Sequence, residues 1–289
     1  MTNEKNPWKY AGVDPDRIKK NRFLNPEAPA PKLKGGKKKN SALKSSEKGY
    51  IVLPEVSRYG LGLYQLREAC VNDSNSVQPV VQMNGVEYIR PLSVKEILQA
   101  RLECFNTEKD DGGKKRTLDE RLALFDQWFA TSTGIVYRAG TDKFKIDSVS
   151  KEIVSLDQAF NERFLAVDYN QISGIELDST QHYNEELSKS QIENHSGWQA
   201  LVEGDLVLLK QYRDTVFKLL KQRAQNKKMP ERAMGFYVRK NTPEDELGAL
   251  FVSDLSSSSA LGGNCLNDLG RFVRKVVQAP AGAAGAKKT

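Results

Sequence analysis

Glu176, Asp178, His182, Glu185 and Glu186 fall within one stretch, GIELDSTQHYNEE, the densest grouping of side chains able to ligate a metal or move a proton. Carboxylates beside an imidazole suit a hard divalent cation, and His182 would share one helical turn with Glu185 or Glu186 if the segment is helical. A metal-assisted hydrolase is one expectation from this set. A solvated acidic edge is the other, and charge clusters commonly end that way. The second histidine, His195, stands three residues before Trp198. At helical spacing that suits a packed aromatic pair or a helix boundary better than a ligand.

Spacing argues against most other chemistries. The chain has no phosphate-cradling GxxxxGK[ST], no GxGxxG after a strand, no HExxH and no GxSxG elbow. Its three cysteines, Cys70, Cys104 and Cys265, lie 34 and 161 residues apart, which disfavours a thiolate zinc site. With two histidines in all, an imidazole base could only be His182 or His195. No cofactor is expected.

Phosphate binding is better represented. Lys5, Lys9, Arg17, Lys19, Lys20 and Arg22 are interleaved with Trp8, Tyr10 and Phe23, and Lys32, Lys34, Lys37, Lys38 and Lys39 follow. Basic side chains neutralise phosphates without needing a fold, and aromatics add base stacking. Two other uses fit the same residues: a solubilising or targeting tail, or a peptide docking into a protein groove through Trp8-Lys9-Tyr10 and Phe23-Leu24. Membrane-surface binding fits less well, because a segment this rich in Pro and Gly cannot form a regular amphipathic helix. Tyr137, Arg138, Asp142, Lys143 and Lys145 form a second basic-aromatic set on an expected hairpin. It could lie along a phosphate backbone or be the polar face of a half-buried ribbon. MGFYVRK (234–240) lacks the spacing of an RNA-stacking strand and reads as core.

The charge distribution separates this arm from the rest. The 289 residues carry 44 Lys+Arg and 37 Asp+Glu, for a net charge of +7. Residues 1–49 hold 13 basic and 5 acidic groups, whereas the remainder holds 31 and 32. The excess therefore belongs to the arm, whose NPEAPAPKLKGGKKKN cannot bury enough apolar area to offset the entropy of ordering it. Residues 1–49 read as an extended basic arm, 50–278 as a folded body with a possible seam near 175–187, and 279–289 as a small-residue tail. No apolar run approaches the ~18 residues of a membrane span. With no apolar stretch behind the N-terminal charges and few cysteines, the expected setting is the cytoplasm, without membrane insertion.

The body shows an α+β pattern of antiparallel hairpins and amphipathic helices. YIVLP (50–54) reads as a strand, and VVQMNGVEYIR (80–90) as a hairpin about Asn84-Gly85. Ser93/Glu96 and Thr117/Glu120 are spaced as capping boxes, the second opening a helix over TLDERLALFDQWFA. Strands are expected at 134–139, 143–149, 234–239, 249–253 and 271–277. Short helices are expected after Ser155 and after Ser190. DLVLLKQYRDTVFKLLKQRAQ reads as the clearest helix, with Leu206, Leu209, Val216, Leu219 and Leu220 as its apolar stripe. SDLSSSSALGGNCLNDLG reads as a mobile loop.

NGVEYIRPLSVKEILQARLE, LFDQWFATSTGIVYRAGTDKFKI and AMGFYVRKNTPEDELGALFV, together about a quarter of the chain, resemble a set of uncharacterised archaeal proteins. The resemblance implies a cytoplasmic setting and brings no site residues with it.

These observations point to a non-enzymatic binding or assembly protein whose arm contacts nucleic acid, a ribonucleoprotein or an acidic partner surface. The alternatives are a coat-like scaffold that self-assembles through the arm, and the hydrolase.

Overall fold

The computed structural model describes residues 49–276, apart from 111–112, 180–181, 225–230, 264 and 268–269. Residues 1–48 of the arm and the tail at 279–289 lie outside the described residues. The described residues belong to one compact unit.

The body starts and ends on one ribbon. β1 (Tyr50–Val52) pairs antiparallel with β11 (Val273–Lys275), so Tyr50 lies opposite Lys275. α1 (Tyr59–Val71) follows and buries Tyr59, Leu63 and Leu66. This helix is not evident from the sequence, because Gly60 and Gly62 lower helix propensity in its first turns. Packing explains them: a Cβ on Gly60 would lie 2.2 Å from the Asp157 carbonyl oxygen, and one on Gly62 would lie 2.4 Å from the Phe272 ring.

β2 (Val80–Met83) and β3 (Val86–Ile89) form the expected hairpin, with positive φ at Asn84 (50°) and Gly85 (78°), as a type I′ turn requires. Ser93 and Glu96 close their capping box on α2 (Val94–Asn106), which buries Val94, Ile97, Leu98, Leu102 and Phe105. Thr117 and Glu120 close the second box, but α3 (Leu118–Leu122) ends after five residues. Phe129 is taken instead by β4 (Phe129–Tyr137), where it faces Val252 across the sheet. Pairing with a central strand outweighs continuation of the helix.

The main sheet runs β7-β5-β4-β9-β10-β8, with β6 also on β9. Its strands are β5 (Lys143–Asp147), β6 (Leu165–Ala166), β7 (Ile175–Asp178), β8 (Phe236–Tyr237), β9 (Glu246–Val252) and β10 (Ala260–Leu261). All pairings are antiparallel except β8 with β10, consistent with the α+β reading. β4 and β9 are buried along their whole length, being central and covered. Register shifts between Ala130 and Gly134, and the intervening hydroxyls supply substitute bonds. Thr131 Oγ1 donates to Leu250 O (2.7 Å) and Thr133 Oγ1 to Ser148 O (3.0 Å).

Several local expectations are corrected. The helix expected from Ser155 is replaced by the four-residue α4 (Lys151–Val154), capped by Ser150. The acidic stretch at 175–187 begins as strand β7, paired with β5. Ser188 and Gln191, not Ser190 and Glu193, form the capping box of α5 (Lys189–Asn194), and α6 (Ser196–Leu201) follows separately. The Ser/Gly segment is not a loose loop: Leu255, Ser258, Ser259, Ala260 and Leu266 are fully buried. α7 (Leu206–Arg223) forms as expected, capped by Asp205 with Lys221 and Arg223 in its last turn.

Candidate functional site

In the acidic stretch, two of the carboxylates, those of Glu176 and Glu185, are engaged by neighbouring side chains. Glu176 on β7 meets Lys143 Nζ (3.0 Å) and accepts from the Tyr169 hydroxyl (3.0 Å), and these bonds hold its carboxyl below the usual range. Asp178 ends the same strand, opposite Lys143 in register. His182 Nδ1 lies 2.8 Å from Glu185 Oε1, and Arg232 meets the other Glu185 oxygen at 2.9 Å. The hydrogen bond from His182, followed by that from Arg232, keeps the Glu185 carboxyl low. Glu186 contributes its backbone carbonyl to Arg232. Among the described residues no group of three or more His, Cys, Asp or Glu is arranged to hold a metal ion. The ligand set proposed from spacing is thus divided: His182 and Glu185 do meet, in a turn and not a helix, whereas Glu176 on β7 is engaged separately by Lys143 and Tyr169.

His195 is a helix boundary. It caps α6, accepting at Nδ1 from Trp198 N (3.3 Å), while Nε2 faces the His182 carbonyl (3.3 Å). Tyr183 and Phe236 pack on its ring, 4.6 and 5.6 Å away between centroids. Burial pushes its pKa down to about 4 from the usual 6.5. The unfolded chain therefore takes up a proton first. Stability is complete above pH 6.5 and falls as pH drops toward 4, by a loss on the order of 3 kcal/mol in the limit. His195→Asn keeps a capping acceptor and removes this titration. Urea midpoints measured between pH 7 and 4.5 should fall less steeply in that variant.

The second hairpin engages its cations with neighbouring groups. Tyr137 is buried and donates to Gly262 O (2.8 Å). Lys145 Nζ donates to Tyr169 O and Ile172 O, at 2.9 and 3.0 Å, and Arg138 lies over the Tyr169 ring. Lys143 is engaged by Glu176 on the neighbouring edge strand β7, so the cations of this ribbon are matched by groups of the body itself. Met234, Phe236, Tyr237 and Val238 are core, as MGFYVRK was read.

A hollow that spacing did not single out lies elsewhere in the body. A groove of about 720 Å³ runs between α2 and α7. Glu96, Gln99, Glu103 and Asn106 line one wall, a single stripe of α2; Asp205, Val207 and Gln211 line the other. Leu92, Leu102 and Leu208 also line it, and Tyr50 and Lys275 are at the end formed by the β1–β11 ribbon. A second hollow of about 600 Å³ shares Val207 and Gln211 and adds Leu206, Lys210, Glu193 and Asp214. Between them Leu206 and Val207 remain 52% and 68% exposed.

The groove is more acidic than basic. Glu96 forks onto Arg90 (2.7 and 3.0 Å), and Glu193 and Asp214 meet Arg213. Glu103 accepts from the Tyr50 hydroxyl, whose own ionisation is driven well above its usual range by burial and then by Glu103. Asp205 accepts from Leu208 N (3.0 Å). A signal for this face was present in the sequence. Leu206-Val207-Leu208-Leu209 turns through about 300° of helix, so the four side chains cannot all face one core. Of the expected apolar stripe, Leu209 is buried while Leu206 stays exposed, and Leu208 is buried beside Leu209.

The arm residues Lys5, Trp8, Lys9, Tyr10, Arg17, Lys19, Lys20, Arg22, Phe23, Lys32, Lys34, Lys37, Lys38 and Lys39 lie outside the described residues. Among the described residues no helix is long and apolar enough to cross a membrane.

No family model and no curated protein matches the chain. A solved structure described as "Accommodation of massive sequence variation in Nanoarchaeota by the C-type lectin fold" is similar over 80% of this chain and 98% of its own, with a TM-score of 0.51 and 13% identity. At that identity the likeness is one of architecture alone: the body, with its termini paired and its two central strands buried, shares the C-type lectin fold.

Proposed function

We propose that the protein is a non-enzymatic binding and assembly protein, in which a C-type-lectin-fold body presents a partner-binding face and the basic arm contacts nucleic acid. The observation that carries this reading is the separation of charge: 13 basic against 5 acidic groups in residues 1–49, and near balance in the rest. Two features of the body support it. Glu176, Glu185 and His195 are engaged in pairing and capping, and the exposed apolar side chains Leu206 and Val207 sit on a groove. The neighbouring structure is described as accommodating massive sequence variation, and a stable core that tolerates change on its surface suits a binding protein.

Sedimentation velocity of the full chain, alone and with a single-stranded RNA, tests the reading against the scaffold alternative. The binding reading expects a small defined species that shifts when RNA is added. Large oligomers in the absence of RNA, dispersed by salt, would favour self-assembly through the arm.

A further inference from the structure

Seven buried side-chain polar atoms lack a hydrogen-bond partner among the described residues, and three of them lie around one turn: Asp142 Oδ1, Ser179 Oγ and Thr242 Oγ1. The turn joins β4 to β5. The sheet order β7-β5-β4-β9 sets the end of β7 on one side of it and the chain entering β9 on the other. Backbone bonds tie the three segments together. Ser179 N donates to Asp142 O (3.0 Å), Gly140 N to Thr242 O (2.9 Å), and Ala139 N to Asp245 Oδ1 (2.7 Å). Ser179 and Thr242 are only 2% and 3% exposed, so bulk solvent does not serve their hydroxyls.

Buried polar atoms are bonded as a rule, and an orphan marks a place for water or an ion. Water suits the two hydroxyls but leaves the Asp142 charge uncompensated. That carboxylate joins no ion pair among the described residues, and the hairpin's own cations, Arg138, Lys143 and Lys145, are engaged elsewhere. It does not close its own turn either, a task taken by Thr141 Oγ1 with Arg138 O and Lys143 N. One carboxylate and two hydroxyls are hard oxygen donors, which select hard cations. Their summed charge selects further. A single carboxylate neutralises one positive charge, whereas a divalent ion would leave a net charge beside two buried ligands.

We propose that Asp142, Ser179 and Thr242 hold one monovalent metal cation, Na⁺ or K⁺, with water completing its shell and accepting the hydroxyl protons. The ion pins the β4–β5 turn between β7 and the chain entering β9. The site belongs to the body and is independent of the arm.

Thermal melts of the full chain in NaCl, KCl and choline chloride at equal ionic strength test this. Choline carries the same charge but is too large for a buried site. At about ten times its Kd, the alkali ion should raise the melting temperature over that in choline chloride by about 3–6 °C. Asp142→Asn and Ser179→Ala should each lose most of that difference, and the alanine change keeps the test open if the asparagine variant does not fold. Asp178→Asn removes the exposed carboxylate next to Ser179 and should keep the difference. Equal melting of the wild type in all three salts, a difference that survives in Asp142→Asn, or its loss in Asp178→Asn would overturn the proposal. So would stabilisation by CaCl2 alone, which would place a divalent ion at these oxygens.

Discussion

Arg101→Met should destabilise the body by about 3–5 kcal/mol, a large part of the 5–15 kcal/mol that holds a typical domain together. Arg101 is fully buried, and no carboxylate accompanies it among the described residues. Its guanidinium is satisfied by four bonds from four directions. Nε donates to Leu124 O (3.1 Å), Nη1 to the Tyr212 hydroxyl (2.7 Å), and Nη2 to Gln127 O and Ser253 O (2.6 and 2.8 Å). The rings of Phe125 and Phe129 lie 5.6 and 5.7 Å from its carbon. One side chain thus ties α2 to the segment before β4, to α7 and to the end of β9.

Methionine fills similar volume but leaves three backbone carbonyls without a donor, each costing about 1–3 kcal/mol. Relaxation and water entry recover part of that sum. For a body of this size the melting temperature should drop by roughly 6–20 °C. Arg101→Lys should fall between the two, because an ammonium keeps the charge but has three donors and no planar fork. Thermal melts of the three proteins decide it. A methionine variant within about 1 kcal/mol of wild type would mean that the network is not needed for stability.

Local signals in the sequence carried far where one residue type decides the geometry. Both capping boxes, the Asn84-Gly85 turn and α7 are legible because Ser, Thr, Asn, Gly and Asp act within a few residues of themselves. Elements fixed by distant partners were not legible. α1 carries two glycines needed for close approach to Asp157 and Phe272, and these read as helix-breaking. β7 is an edge strand whose Glu176 and Asp178 read as loop, although charges on an edge strand are a common guard against unwanted pairing. β6 and β10 are two residues each, below any periodicity, whereas the two-residue β8 falls inside the strand expected at 234–239. For the candidate site, residue types suggested chemistry at 176–186, while the groove is visible only once two helices distant in the chain lie side by side. The Leu206–Leu209 run announced an exposed apolar face but not what stands opposite it.

The role of the arm is the other large effect. If six phosphates of a single strand are neutralised, log K should fall with log salt at a slope of about 4, which is a loss of a few hundredfold between about 50 and 200 mM. The chain beyond residue 49, with 31 basic and 32 acidic groups, offers no comparable term. The measurement is a fluorescence-anisotropy titration of a labelled single-stranded RNA across that salt range, with the full chain and with residues 1–48 removed. The expected result is tight, steeply salt-dependent binding by the full chain and loss of both affinity and slope in the shortened one, with the melting temperature unchanged. Equal binding by the two proteins, or weak and salt-insensitive binding by the full chain, would contradict the account.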